Sequence, residues 1–270
     1  MLAIAASVLM AGCNAPLDTG DRAISAPVVD ISLRDGVALG ALNIDAVTAA
    51  SHVLGEDPLR QAKKPRVLYV GAEYCHYCAM ERWSLVIALS QFGTFAGLHS
   101  IDIPGSMPWQ SLPTVSFRNA TFTSDHVTFE AVELEDAAKR PLDALTSDDR
   151  ELMDRLDPDG SIPWVSWGTG YRIGTLFDAS SQMEGKSTSD IAAELSGASS
   201  PVAKMILGSA NVQIAQICAS TEGKPADICG SETIKHISSH LTPTDARPTI
   251  GLPAMQCAPS GTSCRETPLP

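Results

Sequence analysis

Residues 66–93 read RVLYVGAEYCHYCAMERWSLVIALSQFG. Arg66 to Gly71 is a β-branched and aromatic run of strand length, and two cysteines follow it at once. From His76 to Phe92, Met80, Trp83, Ile87 and Ser90 recur at helical spacing with Val86 and Leu89 beside them. Glu81 and Arg82 are expected off that stripe, and Gly93 supplies a helix stop. The pattern is strand, Cys-x-x-C, helix. A lone Cys-x-x-C says little, but one at a strand-to-helix junction is the setting of a redox pair.

The setting has a physical logic. Cys75 falls where unpaired backbone N–H groups and the positive end of the helix dipole favour an anion, so it is expected to be the attacking thiolate. Cys78 lies three residues on, over the same face, placed to resolve a mixed disulfide. His76 between them adds positive charge near the thiolate and is expected to tune the couple toward oxidation; its bland reading is a solvated side chain at the helix start. A c-type haem site needs His directly after the second cysteine, where Ala79 stands. A zinc site wants a second close pair, and Cys218 and Cys229 are too far apart and too distant in the chain. Copper handling through the two thiolates with His126, His236 or His240 is one alternative, and a purely structural disulfide is another. Thiol exchange itself requires no cofactor and no metal.

Outward from this centre, Asp45 to Val53 reads as a short helix and Pro104 to Pro113 as a loop carrying Trp109. Thr114 to Leu134 reads as two or more strands turning near Arg118-Asn119 or Ser124-Asp125. Pro141 to Leu156 has an acid-rich helical pattern. Asp157-Pro158-Asp159-Gly160 is read as a turn, because its spacing does not fit a calcium loop. Ile162 to Trp167 and Tyr171 to Ile173 flank Gly168-Thr169-Gly170 as a hairpin. A helical region follows from Thr188 to Ser220, broken near Pro201. Trp164 and Trp167 either fill the core or, with Trp109, line a binding surface.

The ends have a different character. The first twelve residues, MLAIAASVLMAG, carry no charge and are shorter than a bilayer span, so they read as a secretory segment. Leu9 to Cys13 resembles a bacterial lipobox, which predicts lipidation at Cys13 and a chain anchored on the extracytoplasmic face of the cell membrane. No Lys or Arg precedes the apolar run, although such segments normally begin with positive charge. Of seven cysteines, Cys13 is set aside and six remain. By spacing they fall into Cys75/Cys78, Cys218/Cys229 and Cys257/Cys264, the last two read as structural disulfides of an oxidising compartment, although four cysteines allow three connectivities. The expected organisation is a signal peptide at 1–12, a tether at 13–44, one domain at 45–241 and a Pro/Ser/Gly-rich tail at 242–270. The 270-residue chain carries 31 acidic and 19 basic residues, net −12, which argues against nucleic acid and anionic membrane surfaces as partners.

Gly71 to Phe95, with Gly71-Ala72-Glu73-Tyr74-Cys75-His76-Tyr77-Cys78-Ala79-Met80-Glu81-Arg82-Trp83 at its head, is similar to the signature of the DUF929 family, a group of uncharacterised proteins. Phe122 to Ser124, Phe129 to Leu134 and Ser161 to Pro163 extend the resemblance over roughly residues 45–240. It implies an α/β thioredoxin-like fold, a central mixed β-sheet flanked by helices, here with extended N- and C-terminal tails. In that fold a cis-proline faces the cysteine pair, and Pro163 occupies the matching place; the backbone before it can pair with an extended substrate. Its plain alternative is a trans proline on an edge strand. The chain departs from the pattern at His76, where other members often carry proline. It departs again at Tyr69, six before Cys75, where thioredoxin has a buried acid. Glu73 is the nearest carboxylate and either substitutes for that acid in proton transfer or, the reading preferred, is a solvated residue before the helix. The function expected is a thiol-disulfide oxidoreductase acting on the thiols and disulfides of exported proteins, with an unidentified redox partner. The rivals are a scaffold lipoprotein with a structural cysteine pair and a Cu(I)-handling protein.

Overall fold

A computed structural model describes residues 58–103, 111–197 and 200–241, together with the backbone of four short strands, Arg22–Ala23, His52–Val53, Met255–Cys257 and Cys264–Glu266. The expected signal peptide and Cys13, nearly all of the tether, and Trp109 lie outside the described residues.

Strand β1 (Lys64–Gly71) lies at the centre of the main sheet. From Val67 onward it is buried throughout, as a run flanked by strands on both sides and covered by helix should be. Gly71 is required there because a Cβ at this position would collide with the hydroxyl and ring of Tyr69, which lies over it. Helix α1 (His76–Ser90) follows, and the chain then makes a β-rich excursion before returning. In the excursion Gly93–Ala96 pairs with Thr121–Ser124, and His99–Ile103 pairs with β2 (Leu112–Ser116). The return strand β3 (Thr128–Glu133) is parallel to β1, with Arg66 opposite Thr128 and Gly71 opposite Glu133. The chain turns at both of the alternative positions between Thr114 and Leu134, near Arg118-Asn119 and just after Ser124.

Helix α2 (Ser147–Leu156) begins six residues later than its acid-rich pattern suggested, where the Thr146 side chain caps it by accepting from the Asp149 N–H. Asp157 to Gly160 is a turn, with Gly160 at φ +61° and its N–H donating to the Asp157 carbonyl. Strands β4 (Trp164–Ser166) and β5 (Gly170–Ile173) form the expected hairpin, Gly168 taking φ +98° in its turn. β4 is antiparallel to β1, with Trp164 opposite Val70, so the sheet runs β5, β4, β1, β3. His52–Val53 adds to the β5 edge as strand and not as the end of a helix. This order, two parallel strands joined through α1 and then an antiparallel hairpin, is compatible with a thioredoxin-like fold.

Thr188–Gly197 and α3 (Pro201–Ser220) are separate helices, Ser200 capping the second and Pro201 opening it. By length and apolarity α3 passes as a membrane span, yet most of it is buried in this body, packed along α1 as a core helix. A disulfide joins Cys218 near its end to Cys229, and α4 (Glu232–His240) packs back on it. Trp164 and Trp167 are fully buried, so both fill the core.

Arg66 ties α2 to the sheet. It reaches Glu130 of β3 through Nη2 at 2.7 Å and holds Asp149 of α2 in a two-pronged grip at 2.7 and 2.8 Å. Burial works against the Asp149 charge, but the Arg66 guanidinium and the Thr146 hydroxyl outweigh it and hold the carboxyl below the usual aspartate range. A carboxylate held low in the folded chain contributes stability above its unfolded pKa and loses it as pH falls through the folded one. Asp149→Asn is therefore expected to be less stable at neutral pH, by about 1 to 3 kcal/mol for a hydrogen-bonded charge. The gap to the parent should close below about pH 4, as urea denaturation at a series of pH values would show.

Candidate functional site

The loop Ala72 to Tyr74 carries the chain from the end of β1 to α1, and Cys75 is the residue that caps the helix. Its backbone is extended, φ −78° and ψ 120°, and its Sγ accepts the N–H of Cys78 at 3.2 Å. A cap must offer an acceptor to the first turn, and here a sulfur does so in place of the usual oxygen. Cys75 and Cys78 are both free thiols and both fully buried. Burial is the main cause that pushes the Cys78 thiol well above its ordinary range. Hydrogen bonding to Cys75 and the charge of Cys75 push the same way, while Arg82 and the Ala72 backbone pull it back. The Cys75 sulfur thus faces the first-turn N–H of the helix, in a site whose burial opposes ionisation of Cys78.

All fifteen residues of α1 are buried, Glu81 and Arg82, which lie off the apolar stripe, included. The two charges are adjacent in sequence, about 100° apart around the helix, and leave it toward different strands. Arg82 donates from Nε and Nη2 to the two oxygens of Glu133 at the end of β3, at 2.8 and 2.7 Å, and Nη2 also reaches the Ala72 carbonyl at 2.6 Å. Glu81 pairs with Arg172 of β5 and accepts from Gln213 of α3 at 3.0 Å, and the same amide donates to Ser84 at 2.8 Å. Burial pushes the Glu133 and Glu81 carboxyls up, with their arginines pulling back. Trp83 donates to the Pro113 carbonyl at 3.1 Å.

Glu73 is buried as well and not solvated: its Oε1 accepts the Ser116 hydroxyl at 2.6 Å. His76 is buried at the helix start, against the solvated reading. The Ile162–Pro163 peptide is cis, and the pairing of Trp164 with Val70 sets Pro163 beside the end of β1, from which the cysteines follow. Cys75, His76, Cys78 and Pro163 therefore belong to one end of the sheet. Cys218 and Cys229 are bonded to each other at the far end of α3, apart from this centre. Cys257 and Cys264 stand opposite each other as Cα partners of a short antiparallel pair, their side chains lying outside what is described. His236 and His240 lie exposed on α4, and among the described residues no three of His, Cys, Asp and Glu are grouped as metal ligands.

Sequence reasoning missed the Arg82–Glu133 and Glu81–Arg172 pairs. A signal existed: Glu81 and Arg82 interrupt a largely apolar helix and Arg172 a short apolar strand, and buried charges need partners. Which charge takes which partner depends on strand order, which spacing does not carry.

Residues 52–187, about half of the chain, match the family model described as Domain of unknown function (DUF929). No curated protein and no solved structure matches the chain.

With Cys75→Ser in place, burial of the remaining thiol persists. The thiolate absorbance of Cys78 near 240 nm should then rise only on the alkaline side of the ordinary cysteine range, about 8.5. A midpoint at or below pH 8 would contradict burial as the governing cause.

Proposed function

We propose that this chain, which belongs to the DUF929 family, is a thiol-disulfide oxidoreductase. The observation that carries this reading is the pair of free thiols at the start of a buried helix, with Cys75 Sγ receiving the Cys78 N–H, while burial pushes the Cys78 thiol up. Cys75, as thiolate, attacks one sulfur of a protein disulfide; a mixed disulfide forms and the other sulfur leaves as thiolate. Cys78 then gives up its proton to that leaving sulfur and attacks Cys75 Sγ. The Cys75–Cys78 bond closes, the second substrate sulfur is released, and two electrons have passed to the substrate. Run backwards, the same steps oxidise a dithiol. Arg82 supplies the cation that eases ionisation of Cys78 in the second step. His76 tunes the pair and Pro163 shapes the groove beside it.

The substrates in this proposal are exported proteins. The lipobox-like Leu9 to Cys13 supports a lipid anchor at Cys13 on the extracytoplasmic face of the membrane, and the Cys218–Cys229 disulfide suits an oxidising compartment. Feeding cells an alkyne fatty acid should label the parent chain and leave Cys13→Ser unlabelled and released from membranes; equal labelling of both removes the anchor.

The reaction itself is tested by the reduction potential of the Cys75/Cys78 couple, read by equilibration with glutathione and mass-resolved alkylation. An exchange-competent pair should lie well above about −300 mV, with Cys75→Ser inactive and Cys78→Ser trapping a mixed disulfide. A lower potential with Cys75 unreactive would make the pair a structural staple.

A further inference from the structure

Ile162, the residue before Pro163, does not offer a free backbone edge. Ser161–Ile162 is already paired, in antiparallel register, with Met255–Cys257 from the far end of the chain: Ser161 stands opposite Gln256 and Ile162 opposite Met255. The strand Cys264–Glu266 pairs on the outer side, giving a three-stranded sheet in which Cys257 is the Cα partner of Cys264. The side chain of Asp157 holds Ser161 by accepting its N–H at 2.6 Å, which ties this edge to the body. At the same end of the sheet, Cys75 and Cys78 have no exposed surface at all. A thiol that must attack a protein disulfide has to be reached by one, so the described arrangement is a closed one.

We infer that the C-terminal strand Met255–Cys257 is an intramolecular stand-in for substrate, docked by strand addition on Ser161–Ile162, and that it restrains Cys75 until it leaves. The inference rests on the oxidoreductase reading and names its regulation. An extended segment adds to a sheet edge through main-chain hydrogen bonds, so the chain's own strand and a substrate strand compete for one set of donors and acceptors. The internal strand has the advantage of a high effective concentration, which a foreign peptide must overcome. Facing residues of an antiparallel pair have Cα atoms about 4.5 to 5.5 Å apart, within the range a disulfide spans, so the register of Cys257 and Cys264 lets one bond pre-form the docking hairpin. A hairpin formed beforehand loses less freedom on docking than a free tail.

The test uses the whole reduced chain and follows alkylation of Cys75 by N-ethylmaleimide, resolved by mass. Proline at both Met255 and Gln256 removes the strand's N–H donors whichever of the two faces the edge. Met255→Pro/Gln256→Pro should raise the Cys75 rate at least tenfold over the parent. A synthetic peptide of residues 252–267, with serine at both cysteine positions, should slow the variant again in a concentration-dependent way, while a scrambled peptide should not. Rescue separates release of the strand from damage to the fold, because a misfolded centre would not regain protection from the peptide. Equal and rapid alkylation in parent and variant, or a faster variant that the peptide does not slow, overturns the strand's role and leaves the oxidoreductase reading standing. Cys75 that stays unreactive in both chains removes that reading, and this inference with it.

Discussion

The bidentate contact between Arg82 and Glu133 is the constraint on which the cysteine pair rests. It is made with both side chains essentially without solvent contact, and it locks the first turns of α1 to the end of β3 at the point where the loop from β1 also arrives. Removing one member of a buried pair leaves an uncompensated charge and costs about 3 to 5 kcal/mol, whereas exposed pairs are worth about 0 to 1. By that measure the exposed contact of Arg60 with Glu222 at 4.0 Å is marginal, and the contacts of α1 set the geometry. The pairing of Glu81 with Arg172 does the same on the other flank, and Gln213 brings in α3. A helix that would otherwise slide on an apolar surface is held in register at three places.

That register has a chemical consequence. The anchoring arginine lies close enough to Cys78 to favour its thiolate, while complete burial disfavours it and prevails. A buried cation therefore serves two ends, pairing with Glu133 for position and opposing the desolvation of a thiol. Thioredoxin places an acid six residues before its first cysteine. Here Tyr69 stands at that point, buried against Phe117 and Arg82, and the charged cluster comes from α1 and β3 instead. The electrostatic environment of the second cysteine is thus supplied by a long-range pair and not by the strand that leads into the motif.

The other half of the site is backbone. The end of β1 sets Pro163 next to the loop that carries the cysteines, and the two residues before it form an edge with its own strand already on it. Peptide edges of this kind are general-purpose: any extended chain with the right side chains can pair, so access must be limited by some occupant or cover. In this molecule the occupant is Met255–Cys257, and the two thiols at the same end of the sheet are fully enclosed.

Much of this was legible before any coordinates. The strand, the cysteine pair and the helix after it follow from local composition: a β-branched run, a helical recurrence of apolar residues and Gly93. So do the Gly168 hairpin and the helix break at Pro201, because turn and cap chemistry is local. What local pattern misjudged was burial and pairing. Glu73 reads as solvated and Glu81 and Arg82 fall off the apolar stripe, yet each is buried because a partner more than forty residues away meets it: Ser116, Arg172 and Glu133. Likewise nothing in Met255 to Cys257 says that it lies along Ser161–Ile162, since backbone pairing is independent of side-chain identity. The sequence by itself determined where the cysteine pair would sit and what type of element would carry it. Only the tertiary structure decided which charges surround the pair and which strand covers its edge, because those depend on contacts between segments distant in the chain, where strand order and not spacing selects the partner.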